Sequence, residues 1–470
     1  VILGDIADGL TRGVERTSDA ISGALFEPTV RLGVTGLSRA GKTVFITSLV
    51  ANLLDRARMP GLAAAQQGRI QAAYLQPQPD DTVPRFDYET HLAALTAPEP
   101  HWPASTRAVS QLRLSLRVKP DGLLAGLQNP RTIHLDIVDY PGEWLLDLEL
   151  LDLSYAEWSR QVLERIAERS SAAAFIEAAG ATDPATPFDE GTARALAASF
   201  TAYLNAARVA GYSDCTPGRF LLPGEMEGSP ALTFAPLPQP DRAPRRSLWR
   251  EMERRYNAYV RGVVKPFFRD HFARIDRQVV LVDALGAIHH GPRATEDLRR
   301  AMADILAAFR PGRNGFLSQL FLGKRVERIL FAATKADHLH QAQHGQLAAI
   351  MEALLKDAKT RADFAGAKTA AMAIASLRAT VQERRDHQGK QLDLVRGRLA
   401  DGRQAAFHPG DLPQDPARIL SPAREGAERW LDADYQAMSF APASLSLKPG
   451  EGPPHIRLDQ AIQFLIGDKL

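Results

Sequence analysis

A chain of 470 residues, 45% hydrophobic and 24% charged, has apolar material for a full core and is longer than one domain usually needs, so two packed units are expected. Its 57 basic and 55 acidic residues leave a formal net charge of +2, which gives no reason to expect a specific nucleic-acid partner. One cysteine, Cys215, excludes an internal disulfide, and no apolar run approaches the roughly 18 residues needed to cross a bilayer.

The opening stretch, VILGDIADGLTRGVERTSDA, mixes acidic residues among its apolar ones instead of showing a basic segment followed by an apolar block, which reads as reducing cytoplasm. Ile2, Ile6, Leu10 and Val14 share one helical face. Residues 1–29 are therefore expected to form a helical segment that docks on the core or a partner, with peripheral association at the inner membrane as the lesser alternative.

Residues 30–35 are β-rich, small residues and glycines follow, and 43–54 carries apolar residues at helical spacing, so strand, loop and helix succeed one another. Residues 109–118 alternate, with Leu112, Leu114, Leu116 and Val118 on one side, and pair as a hairpin with 133–138. Further strands are expected at 279–282, 329–333 and, more weakly, 372–375, giving a mostly parallel sheet with one antiparallel member. Between Gly142 and about Arg277 the pattern is helical, at 155–175, 193–209 and 248–272. Residues 216–244 and 409–422, dense in proline and glycine, read as irregular excursions, and there is no internal repeat. The expected organisation is a helical segment over 1–29, a P-loop nucleotide-binding α/β domain over 30–144 and 277–470 with its sheet flanked by helices, and a large, mainly helical insertion over 145–276.

Five segments carry nucleotide chemistry. Residues 36–43, Gly-Leu-Ser-Arg-Ala-Gly-Lys-Thr, satisfy G-x-x-x-x-G-K-[ST] between a strand and a helix. The amides of Gly36, Ser38, Arg39, Ala40, Gly41 and Val44 can then cradle phosphate, Lys42 reach the β- and γ-phosphates, and Thr43 ligate Mg²⁺. The apolar strand ending at Asp139 opens D-x-x-G: Asp139 would hold Mg²⁺ through water, and the Gly142 N–H would bond the γ-phosphate.

A second apolar strand delivers Thr334, Lys335 and Asp337 as T-K-x-D, whose carboxylate would accept from N1–H and the exocyclic amine of guanine and leave adenine mismatched. Ser376 and Leu377, after the last strand of that sheet, would back the base with main-chain N–H groups. A switch hydroxyl for Mg²⁺ and the γ-phosphate is placed at Thr106, with Thr82, Thr96 and Ser105 as competitors.

VTGLSRAGKT, DYPGEW, TKADH and the ending HIRLDQAIQFLIGDKL together resemble the YcjX-like P-loop proteins of bacteria, a stress-associated family, over nearly the whole chain. The resemblance implies a Ras-like nucleotide-binding domain with GTP or GDP bound, an inserted helical domain, and a link to envelope stress. It places a W-P-x-x-T segment on residues 102–106, which adds to the choice of Thr106. Ras-like proteins set a water-orienting Gln after the D-x-x-G glycine, whereas this chain has Glu143.

For a catalytic arginine the candidates are Arg85, Arg107 and Arg113, or a residue supplied by a protein partner or activator. His338, His340 and His344 lie close together, the last two at a spacing for one helical face, but without H-E-x-x-H or a cysteine ligand nearby a metal site is not expected there; His289 and His290 suggest a turn, and Cys215 reads as a passive thiol. The expected function is a slow GTPase acting as a conformational switch. The alternative is a GTP-gated scaffold with negligible hydrolysis, and an ATPase or small-molecule kinase ranks third.

Overall fold

The computed structural model describes residues 27–36, 40–103, 108–121, 129–212, 214–309, 326–361, 366–387, 389–430, 435–436 and 438–470. Most of the segment expected to be helical over 1–29 lies outside them.

Strand β1 (Thr29–Gly36) leads into helix α1 (Lys42–Leu54). Then come β2 (Ile70–Gln76), α2 (Tyr88–Thr96), β3 (Ser110–Val118), β4 (Arg131–Asp139) and the short α3 (Gly142–Leu146). The helical region follows, with α4 (Tyr155–Ile166), α5 (Glu190–Val209), the one-turn α6 (Gly218–Leu221) and α7 (Leu248–Tyr259). The chain returns to the sheet with β5 (Arg277–Val282), α8 (Ala284–His290), α9 (Pro292–Ala308), β6 (Arg328–Ala333), α10 (His344–Arg361) and β7 (Lys368–Ala373). Strands β8 (Thr380–His387), β9 (Lys390–Arg398) and β10 (Gln404–Phe407) precede the closing helix α11 (Leu458–Ile466).

Among the described residues the main sheet runs β2-β3-β4-β1-β5-β6-β7, and β8, β9 and β10 make a second, antiparallel sheet. β3 is antiparallel to both of its neighbours, and every other pairing in the main sheet is parallel. The register Val34↔Asp139, Gly36↔Leu281 and Val282↔Ala333 therefore brings the carboxyl ends of β4, β1, β5 and β6 to one edge, where ligands of open α/β sheets gather.

Both faces of the central strands are buried, as parallel strands require. Val34, Ile137, Val279, Leu281 and Leu330 pack towards α1 and α11. Val138, Val280, Val282 and Phe331 share the other core with the helical region, where Trp158, Phe200, Phe234 and Tyr256 form an aromatic centre. Arg169 bridges Asp214 at 3.0 Å and Asp297, on α9, at 3.1 Å, so that buried charges also join the helical region to the later part of the sheet.

The structure departs from expectation in several places. β2 and the whole second sheet were not foreseen: β2 is a half-buried edge strand without strict alternation, and β8 and β9 are dense in charge, so neither shows the apolar period of a buried strand. The strand expected at 372–375 begins earlier, at Lys368, because pairing with β6 rather than β-propensity defines it. The helix expected over 155–175 stops at Ile166, and that over 248–272 passes through a π-turn at Val260–Val264. The irregular stretch at 409–422 closes in a helix, Ala417–Arg424. His289 and His290 form the last turn of α8 rather than a strand-end turn.

The end of the chain is part of this scaffold. Arg277, fully buried at the start of β5, donates to the Leu465 carbonyl at 2.8 Å and pairs with Asp468 at 2.9 Å, which holds α11 under the sheet beside buried Leu458, Ile462 and Leu465. Leu465→Ala should cost about 2–5 kcal/mol. The check is a lower urea midpoint with an unchanged slope.

Candidate functional site

The site begins where β1 turns into α1. Gly41 has φ 76°, in the left-handed region that a side chain disfavours, and its carbonyl accepts from Phe45 N–H at 2.9 Å to start the helix. Lys42, Thr43 and Val44 thus form the first turn of a 13-residue helix whose leading amides face the sheet edge. Gly36 ends β1 and Ala40 is buried behind it, while Ser38 and Arg39 lie outside the described residues. Lys42 Nζ stands 2.9 Å from Asp139 Oδ1, at the end of β4.

Asp139 is 1% exposed, and among the described residues neither carboxylate oxygen has a hydrogen-bond partner; the contact with Lys42 is an ion pair without hydrogen-bond angles. A buried carboxylate left with lone pairs to spare, beside a buried threonine at the head of a helix, fits a hard divalent cation.

The T-K-x-D segment lies along the same edge. Thr334 N–H donates to the Val282 carbonyl at 2.9 Å, and Lys335 adopts φ 61° and pairs through Nζ with Asp283. Asp337 is 4% exposed; its Oδ2 accepts from Ala379 N–H at 2.9 Å, and its carbonyl accepts from Thr380 Oγ1. These bonds bring 376–379 against the T-K-x-D turn. The Ala375 and Arg378 amides donate to Ile456 and Pro454 at 3.0 and 2.7 Å. Among the described residues those of Ser376 and Leu377 have no acceptor, and are thereby suited to a base.

Gly142 is the first residue of α3 and Glu143 lies in its first turn. Here the helical region closes in. A Cβ on Gly218 would come within 2.5 Å of the Glu143 carbonyl oxygen, so only glycine allows this approach. The next residue, Arg219, sets its guanidinium 3.2 Å from the centroid of the Trp144 ring. Asp147, just past α3, accepts from Gly218 N–H at 2.8 Å and from the Tyr259 hydroxyl on α7. Sequence reading missed Asp147, Gly218, Arg219 and Tyr259, because the partners are 71 and 112 positions apart and none belongs to a motif.

The remaining candidates divide. Thr106, Ser105 and Arg107 lie outside the described residues. Thr82 Oγ1 donates to Asp80 at 2.6 Å, and Thr96 Oγ1 bonds back to the Leu92 carbonyl at 2.9 Å, so each is used locally. Arg85 pairs with Glu89 on the surface, and Arg113 forms a two-pronged pair with Asp136 at 2.6 and 2.8 Å in mid-sheet, a structural role. His340 faces Asp393 at 3.4 Å and His344 bonds the Leu339 carbonyl at 3.3 Å. Cys215 is buried, which pushes its thiol well above the ordinary range. Among the described residues no helix is long and apolar enough to cross a membrane.

A family model described as the YcjX-like family, DUF463, matches residues 30–470, the span that holds every one of these site segments. The chain belongs to the YcjX-like family. It is 40% identical over 457 residues to "Ras-like GTPase YcjX" of Escherichia coli (strain K12), covering 94% of this chain and 96% of that one. To the protein of the same description from Shewanella oneidensis it is 38% identical over 467 residues, covering 94% of each chain. Family membership makes this a nucleotide-binding P-loop NTPase.

Asp147, by its contacts, ties the Gly142 turn to the helical region, and it is also a titrating group. Burial pushes its carboxyl up from 3.8 to about 7, against the opposing hydrogen bonds from Tyr259 and Gly218 and the Arg219 charge. The unfolded chain therefore ionises at lower pH than the folded one. The resulting penalty is absent below pH 3.8 and grows as pH rises towards about 7, above which it is constant. At its full size it is about 4 kcal/mol. Asp147→Asn should match the parent in stability near pH 3.8 and exceed it increasingly up to about pH 7, as read from denaturation midpoints across that range.

Proposed function

We propose that this protein binds GTP and GDP with Mg²⁺, hydrolyses GTP slowly, and works as a nucleotide-dependent conformational switch. The observation that carries the reading is the meeting of Lys42 and Asp139 at 2.9 Å, on the sheet edge that also ends in Thr334, Lys335 and Asp337. The strand order, with β3 as the antiparallel strand beside β4, supports a Ras-like P-loop sheet to which β2 adds an edge.

In this reading Lys42 and the leading amides of α1 hold the β- and γ-phosphates, while Thr43, Thr106 and Asp139 are the cation's residues. Mg²⁺, when bound, supplies positive charge to the phosphate oxygens. Asp337 accepts from the guanine edge and the Ser376 and Leu377 amides back it. Gly142 N–H senses the γ-phosphate, and Glu143 accepts a hydrogen bond from the attacking water while its own charge repels the phosphate, which makes turnover slow. The packing of Gly218 against the Glu143 backbone, with the Asp147 bonds beyond it, would carry the change at Gly142 into the helical region.

Glu143 also favours a second reading, a GTP-gated scaffold with negligible hydrolysis whose output is recruitment of a protein partner or peripheral association with a membrane, in keeping with a role in envelope stress. Single-turnover hydrolysis of GTP and ATP, with Lys42→Ala as control and binding titrations alongside, separates them. GTP-selective turnover lost in Lys42→Ala is the expected result. Selective binding without turnover would favour the scaffold, and tighter adenine-nucleotide binding would overturn the base assignment.

Asp337→Asn turns one acceptor oxygen into a donor. It should weaken GDP by on the order of a hundredfold, the loss of two charge-assisted bonds. The same variant should bind xanthosine diphosphate better than the parent does, because that base presents a carbonyl where guanine has its amine. Competition titration reads both.

A further inference from the structure

Ser110 opens β3 directly opposite Asp139, which closes β4; the two are register partners in the antiparallel ladder. Directly paired residues of antiparallel strands project from the same face of the sheet. That face is marked on β3 by Leu112 and Leu114 and on β4 by Leu135 and Ile137, all in the core packed against α1. By the two-residue period, Ser110 and Asp139 point to the side from which α1 presents Lys42 and Thr43.

Both side chains are buried, Ser110 at 7% and Asp139 at 1% exposure. Among the described residues the Ser110 hydroxyl has no hydrogen-bond partner, and neither Asp139 oxygen has one. Two buried polar groups that face each other across a strand pair without hydrogen bonds are uncommon, even with the Lys42 ion pair at Asp139, since buried polar atoms are normally bonded to protein or water. They make no hydrogen bond to each other, and a water can bridge two facing polar groups that do not bond directly. A serine hydroxyl can accept one hydrogen of such a water while the other goes to the carboxylate.

We infer that Ser110 is a further residue of the cation site, holding a water of the divalent cation's shell against Asp139. The inference rests on the proposed Mg²⁺ nucleotide reading. Ser110 acts as a positioning residue: it keeps the shell water and the Asp139 carboxylate in one orientation, as outer partners of metal ligands commonly do.

Release of fluorescently labelled GDP, followed as Mg²⁺ is titrated, tests this without recourse to turnover. Ser110→Ala should raise the Mg²⁺ concentration that half-maximally slows release by about tenfold or more. In excess chelator it should release GDP at the parent's rate and melt no lower than the parent, because the hydroxyl it removes bonds nothing among the described residues. Ser110→Thr, which keeps the hydroxyl, should restore the Mg²⁺ midpoint. An unmoved midpoint in Ser110→Ala, a shift that persists in Ser110→Thr, or a lower melting temperature in chelator overturns the role of Ser110 alone. Failure of the parent to bind GDP in a Mg²⁺-dependent way overturns the nucleotide reading and Ser110 with it.

Discussion

A lysine and an aspartate, Lys42 and Asp139, meet at the ends of two neighbouring parallel strands, and the rest of the site is arranged about that contact. An ionised carboxylate that is 1% exposed cannot stand alone. Its counter-charge has to come from the first turn of α1, which requires Gly41 in its left-handed conformation and β1 paired with β4 in the register Val34↔Asp139. Any ligand that draws Lys42 away must bring positive charge for Asp139, so in the proposed reading phosphate and cation would be coupled at this edge through electrostatics.

The helical region is not hung on a loop but packed into the sheet's own core. Val138 and Tyr140, either side of Asp139, share a buried cluster with its aromatic residues. α3 leaves the sheet edge with Gly142 and ends against Gly218, Arg219 and Tyr259, so movement at the D-x-x-G turn meets backbone at Gly218 and a buried hydrogen-bonded carboxyl at Asp147. Packed interfaces of this kind shift between discrete arrangements rather than deforming gradually.

At the other end of the edge, the turn at Lys335 is held by Asp283 from the loop after β5, and Asp337 by the amide of Ala379. The segment that carries Ser376 and Leu377 is in turn fastened by Pro454 and Ile456, just before α11. The chain's final helix, through Arg277 and Leu465, thus supports the strands and the T-K-x-D turn together.

The GKT, D-x-x-G and T-K-x-D segments were legible in the sequence because each is local, a strand with the turn or helix start that follows it, and the two-sided burial of β5 and β6 shows as unbroken apolar runs. Strand β2 and the β8–β10 sheet were not legible, since half-exposed and charged strands take their register from a neighbour rather than from their own pattern. Nor was Ser110, an ordinary serine until the β3–β4 register sets it across from Asp139, or Arg113, a candidate catalytic arginine until the same register locks it to Asp136. The amino-acid order by itself determined the nucleotide-binding motifs and the local strand-end turns that carry them. Only the tertiary structure decided which distant side chains meet those turns, because contacts such as Asp147 with Tyr259 depend on packing that no local spacing encodes.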